Sequence, residues 1–82
     1  MLAIGTEVEA IKDTAIKDVE DNAQDFTIKA GQRGRIRAVN YGDEFEPFEQ
    51  LVFIVIRDED GIEIDDIFVL IKRFDEFFKV VD

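Results

Sequence analysis

Residues 26–40, FTIKAGQRGRIRAVN, constrain the fold more than any other stretch. Phe26, Ile28 and Ala30 alternate with Thr27 and Lys29. Two glycines follow, Gly31 and Gly34, and then Ile36 and Ala38 alternate with Arg33, Arg35 and Arg37. A period of two sets successive side chains on opposite faces of a strand, so the stretch reads as a strand, a sharp reversal and a second strand. Glycine reaches positive φ without the Cβ penalty, which suits the reversal. Charge is concentrated here as well. Residues 26–42 carry Lys29, Arg33, Arg35 and Arg37 and no acid, so all 20 acids lie elsewhere. A basic strand in such a chain calls for acidic neighbours across the sheet, where opposite charges contribute about 0.2–1 kcal/mol per pair. Glu7, Glu9 and the fourth strand are the expected partners.

The segments on either side also read as strands. Residues 1–12 place Ile4, Thr6, Val8 and Ala10 on one face. The alternative is a helix over 7–21, with Thr6 and Glu9 forming a capping box and Val8, Ile11, Ala15 and Val19 at helical spacing. The β-branched content and Gly5 favour the strand, followed by a long polar loop, Asp13–Asp25, with Asn22 near its tip. Asn40–Gln50, which holds the sole proline, is a loop. Leu51–Ile56, LVFIVI, is a continuous apolar run and so a central strand buried on both faces. Asp60-Gly61 is the expected pair of a tight hairpin, with Ile62 and Ile64 returning on the next strand. Ile67–Ile71 is a second apolar run, Lys72–Glu76 a single 3₁₀ turn, and Phe77–Val81 a closing strand. The expected core is Val8, Ile28, Ile36, Val52, Ile54, Ile64, Val69 and Val80.

At 82 residues this is the length of one domain, so residues 1–82 are read as a single small β-domain. There is no cysteine, which excludes disulfides and thiolate metal sites, and no histidine, which removes the commonest general base and metal ligand together. No apolar run approaches the roughly 18 residues of a membrane span, and the N-terminus lacks the basic flank of a signal peptide. A cytoplasmic protein without a cofactor is expected. The net charge of −10 disfavours phosphate backbones and anionic lipid. By segment the charge is −5 over 1–25, +4 over 26–42, −9 over 43–66 and 0 over 67–82.

Five short strands, a long first loop and one late turn are the parts of a small barrel, which would remove exposed edges. The order resembles the Src-homology-3-like (SH3-like) small β-barrel superfamily. The resemblance is carried by Gly5-Thr6-Glu7-Val8 in the first strand and by Gly31 and Gly34-Arg35-Ile36 entering the second. The Asp-Gly hairpin and the terminal Phe77-Phe78-Lys79-Val80-Val81 complete it. It implies an all-β fold, a five-stranded SH3-like barrel with one 3₁₀ turn before the last strand. Peptide-binding members use a groove with a tryptophan and several tyrosines. This chain has no Trp and only Tyr41, so polyproline recognition is not expected.

Chemistry is sparse. The acidic run 58–66 suggests calcium, but aligning Gly61 with the glycine of an EF-hand loop sets Ile56 and Ile67 at ligand positions, where neither can bind. AGQRGR lacks the Lys-Ser/Thr of a phosphate loop and enters a strand, not a helix. Threonines 6, 14 and 27 have no histidine to activate them. No enzyme is expected. The arginines of 33–37 could grip nucleic acid, but the rest of the chain would be repelled. The candidate site is the loop that interleaves aromatics with acids: Tyr41, Glu44, Phe45, Glu46 and Phe48. Exposed aromatics beside charge suit a protein interface. Alternatively Phe45 and Phe48 fold back to plug the barrel. The expected function is a protein-interaction module that binds a basic protein partner, without direct nucleic acid or membrane. Two alternatives stand beside it: a phage-type nucleic-acid mimic that occupies a host protein's DNA or RNA site, and a small subunit of a larger enzyme.

Overall fold

A computed structural model describes residues 2–19, 26–42 and 50–81. Five strands form one antiparallel sheet in the order β6-β5-β4-β1-β7: β1 (Glu7–Ala10), β4 (Arg33–Asn40), β5 (Leu51–Arg57), β6 (Glu63–Leu70) and β7 (Phe78–Val80). The ladder is open, with β6 and β7 at its two ends. Two further strands of two residues each, β2 (Thr14–Ala15) and β3 (Thr27–Ile28), pair inside the long first loop. The strand reading of residues 1–12 therefore holds for Glu7–Ala10 but not for Ile4, which lies exposed in a turn with Gly5, and the described part of 7–21 holds no α-helix.

The first loop corrects the expected Phe26–Ala30 strand. Only Thr27 and Ile28 are extended, and they pair with Ala15 and Thr14 rather than with the arginine strand. Ile28 is buried while Ala30 is exposed. Gly31 turns at φ 89°, its N–H donates to the Ala10 carbonyl, and the chain enters β4 beside β1. The reversal is thus a corner between two pairings and not the tip of a hairpin.

The β5–β6 turn also differs from expectation. Gly61 N–H donates to the Asp58 carbonyl at 3.0 Å and Asp58 N–H to the Ile62 carbonyl at 2.8 Å. Glu59 and Asp60 therefore form the corner, and Gly61 follows at φ 83°. A two-residue Asp60-Gly61 turn would need positive φ at Asp60, and among the described residues only glycines adopt it. The Asp58 carboxylate accepts from Asp60 N–H and Ile62 N–H, both at 2.9 Å, and so fixes the hairpin with its own side chain.

The core lies on one face of the sheet. Val8, Ile36, Val52, Ile54 and Ile56 are fully buried, with Ile28, Ile67 and Val69 beside them. After β6 come a 3₁₀ turn, Ile71–Arg73, and a four-residue helix, α1 (Phe74–Phe77). The expected single turn is therefore a 3₁₀ turn that continues as one α-turn. Phe74 and Phe77 sit at i and i+3 on one side of α1, and Phe78 opens β7 directly after them. All three are buried, and Phe74 stacks on Phe78 at 5.8 Å.

Six of the eight expected core residues are buried; Ile64 and Val80 are not, at 48 % and 47 % exposed. Both lie on the end strands β6 and β7. The alternation identified a face correctly, but at the end of an open sheet a face can lack anything to cover it.

Candidate functional site

The outer face of the sheet carries a set of paired charges. Alternation aims Arg33 and Arg35 outward from β4, opposite to buried Gly34 and Ile36. The register then slips after Ile36, so that Arg37 and Ala38 both lie on the Phe53 side and Val39 returns inward opposite Val52. The bulge thereby lets a third arginine join the outer column.

Acids stand on both sides of that column. Arg33 donates to Glu9 on β1 at 2.9 Å. Arg35 and Arg37 reach across β5 to Glu63 and Asp66 on β6, at 3.2 and 2.9 Å. The expectation that the arginines are neutralised within the sheet is met, with partners on both flanks. Val55 shows the packing consequence. The register sets it between Arg35 and Asp66 on the outer face, yet it is only 7 % exposed, because long basic side chains bury their stems while the heads stay wet. Surface pairs of this kind contribute about 0–1 kcal/mol each, so they fix register more than stability.

Residue Arg57 is the part of the site that was overlooked in the sequence. It pairs with Glu7 across β4, and the same guanidinium donates to the Gly34 carbonyl at 3.3 Å. Its own carbonyl accepts from Gln32 Nε2 at 3.0 Å. Alternation marks its face, since Phe53, Val55 and Arg57 continue one period, but not its partner. Lys79 was also missed. It bonds Glu9 at 3.2 Å, so Glu9 ties β7, β1 and β4 together.

Hydrogen bonds from Lys79 and then Arg33 hold the Glu9 carboxyl below the ordinary glutamate range. A folded pKa below the unfolded one contributes stability above the unfolded value, and that stability is lost as pH falls through the folded pKa. Carboxyl ¹³C titration by NMR should therefore show Glu9 titrating higher in Lys79→Gln than in the parent chain. An unchanged midpoint would show that the pair does not persist in solution.

The other end of this face is apolar. The Arg37 guanidinium lies 5.3 Å from the Phe53 ring centre, and Phe53 and Phe68 meet at 6.2 Å. Close by in sequence is the candidate loop. Tyr41 is half exposed, and its hydroxyl donates to the Leu2 carbonyl at 3.1 Å, which anchors the start of the loop to the N-terminal segment. Glu44, Phe45, Glu46 and Phe48, and with them the alternative of a barrel plug, lie outside the described residues.

An open cleft of about 570 Å³ lies between the corner at Gly31 and the β5–β6 hairpin, with Lys29 and Arg33 on one wall and Asp58 and Glu59 on the other. Its cations are already engaged, Lys29 by Asp13 at 3.8 Å and Arg33 by Glu9. Among the described residues no group of three or more acids converges as a metal site would require. No described helix is long and apolar enough to cross a membrane. Comparison with family models, with curated proteins and with solved structures gives no match.

Proposed function

We propose that the chain is a non-enzymatic protein-interaction module, built as one small SH3-like barrel, that meets a basic protein surface with its acidic side. Support for the barrel comes from the strand order β6-β5-β4-β1-β7, the long loop between β1 and β4, the tight β5–β6 hairpin and the single turn ahead of β7. The bulge after Ile36 is the kind of bend that lets one strand serve both halves of a curling sheet.

One observation carries the functional reading: the bases of the outer face are spent internally, and the surplus that remains is acidic. Arg33, Arg35, Arg37 and Arg57 are held by Glu9, Glu63, Asp66 and Glu7. Glu59, Asp60 and Asp65 have no basic partner among the described residues, and residues 43–66 total −9. Such a field steers a basic partner toward this side and acts mainly on the association rate. Tyr41, Phe45 and Phe48 are then the proposed apolar anchors, and Glu44 and Glu46 add to the acid of that segment.

The test is association kinetics with a basic protein captured from cell lysate and identified. Neutralising Glu44, Glu46, Glu59 and Asp60 as Gln or Asn should slow association several-fold and leave dissociation unchanged. Phe48→Ala should instead speed dissociation. Association that is indifferent to all four neutralisations overturns the reading. Phe48→Ala that abolishes folding removes the loop from the site and makes the ring part of the core.

A further inference from the structure

Independently of any partner, we propose that Asp60-Gly61 is a site of spontaneous isoaspartate formation. The closed β5–β6 hairpin shields it, and Asp58 sets how often the hairpin opens. Of the aspartates and asparagines in the chain, only Asp60 is followed by glycine. Glycine puts no Cβ beside the attacking nitrogen, so this is the least hindered of those positions. Both residues are exposed at the corner. The Asp60 carboxylate makes no hydrogen bond or ion pair among the described residues, and only the Asp60 amide is engaged.

The chemistry needs no co-reactant but water. The Gly61 nitrogen attacks the Asp60 carboxyl carbon, and a C–N bond forms. The carboxyl, protonated from solvent, loses one oxygen, which leaves as water with its own proton and the Gly61 amide proton. Water then opens the resulting cyclic imide. Opening at the Asp60 main-chain carbonyl breaks its bond to the Gly61 nitrogen, and the chain thereafter runs through the side-chain carbonyl as isoaspartate. Opening at the other carbonyl restores aspartate.

The closed hairpin blocks the first step. Gly61 N–H donates to the Asp58 carbonyl at 3.0 Å, so the turn holds the proton that the nucleophile must lose. Asp58 Oδ1 accepts from Asp60 N–H and Ile62 N–H at 2.9 Å each, which ties the main chain on both sides of the reacting bond. Cyclisation must break the first bond and turn a peptide unit that the others hold. The reaction therefore proceeds from the open hairpin, at a rate set by how much of it is populated. The product does not fit the closed turn. Isoaspartate adds one backbone atom ahead of Gly61, which pushes Gly61 and Ile62 away from Asp58. Glu63 follows at the start of β6 and pairs with Arg35 at 3.2 Å, so the disturbance reaches the arginine column.

The test incubates the full chain in neutral buffer with and without urea. Isoaspartate is counted by methyl transfer from S-adenosylmethionine with isoaspartyl methyltransferase, and placed by tandem mass spectrometry. The unfolded chain should accumulate it at Asp60, and the folded chain should do so at least about tenfold more slowly. Amide hydrogen exchange of the folded chain measures the same opening, so the protection of Gly61 N–H should match that retardation within about threefold. Asp58→Ala removes two bonds to a charged acceptor and should speed the folded chain's reaction about tenfold. Asp60→Glu keeps the charge but moves the carboxyl one carbon further from the nitrogen, and should abolish the signal. If Asp58→Ala does not fold, the match between retardation and Gly61 protection decides the question by itself. A smaller retardation, or one that departs further from that protection, overturns the shield. Isoaspartate that persists in Asp60→Glu, or none at Asp60 in the unfolded chain, overturns the site. A folded Asp58→Ala that reacts at the parent's rate overturns the role of Asp58.

Discussion

Replacing Gly34 by alanine is expected to cost about 3 kcal/mol or more, enough to unfold a domain of this size under mild denaturant. Gly34 is buried in β4 between Val8 of β1 and Ile56 of β5. A Cβ there would lie 2.6 Å from the Val55 carbonyl oxygen, 3.1 Å from Ile54 Cγ2 and 3.3 Å from Ile56 Cδ1. The nearest of these is backbone, so no rotamer change relieves it, and either β4 or β5 must move. Moving either strand disturbs the pairing on which the arginine column depends. Gly31 provides the contrast. It has φ 89° and open space around its Cβ position, so Gly31→Ala should cost only about 1–2 kcal/mol of backbone strain. Urea unfolding of the two variants separates the mechanisms. A loss below about 1 kcal/mol for Gly34→Ala would mean that β4 and β5 are not packed this closely.

The second large effect is expected at Ile54. It is fully buried at the middle of β5, paired with Ile36 on one side and Ile67 on the other, both buried. Truncation to alanine removes three carbons from a site walled by strands on both flanks, which cannot collapse into the gap. The cost should be about 2–5 kcal/mol, the transfer term plus the cavity term. The same unfolding series measures it, and a loss under about 1 kcal/mol would show that the centre of the core lies elsewhere.

These two positions also show how much of the fold was legible in the sequence. The apolar run LVFIVI identified an interior strand, because it is too short for a helix and bounded by turn residues, but not one buried on both faces: Val52, Ile54 and Ile56 meet the core, while Phe53 and Arg57 lie on the charged outer face. The alternation of Arg33, Arg35 and Arg37 with Ile36 and Ala38 identified the strand beside it, although the bulge after Ile36 sets Ala38 on the arginine side and Gly34, read as part of the reversal, lies inside β4. Both signals are local, a bounded apolar run and an alternation. What was not legible depends on neighbours. Ile64 and Val80 have the right period and are exposed, because they occupy the end strands. Phe26–Ala30 alternates but is mostly loop, because β1 and not β3 took the place beside β4. Asp60-Gly61 is a strong hairpin pair, yet the Asp58 carboxylate shifted the turn by one residue.

The candidate site divides in the same way. Acidic partners for the arginines followed from charge arithmetic, and the named partners Glu9 and the strand of Glu63 and Asp66 are those used. The straps of Arg57 to Glu7 and Lys79 to Glu9 required knowing which strands are adjacent, and sequence alternation does not contain strand order. Of the five candidate loop residues, only Tyr41 is described. The hydroxyl bond to Leu2 joins segments 39 residues apart in the chain, and no spacing rule would have found it.

Whether the surplus acid of residues 43–66 is a partner surface is tested most directly by the association rate with the captured basic partner as ionic strength rises. Between about 0.01 M and 0.15 M the screening length falls from about 30 Å to about 8 Å, which shortens the reach of exposed carboxylates but scarcely affects contacts already made. The association rate constant should fall about tenfold or more, while dissociation stays within about twofold. An association rate unchanged across that range would make the acids a solubility device and contradict the proposal that this face meets a basic protein.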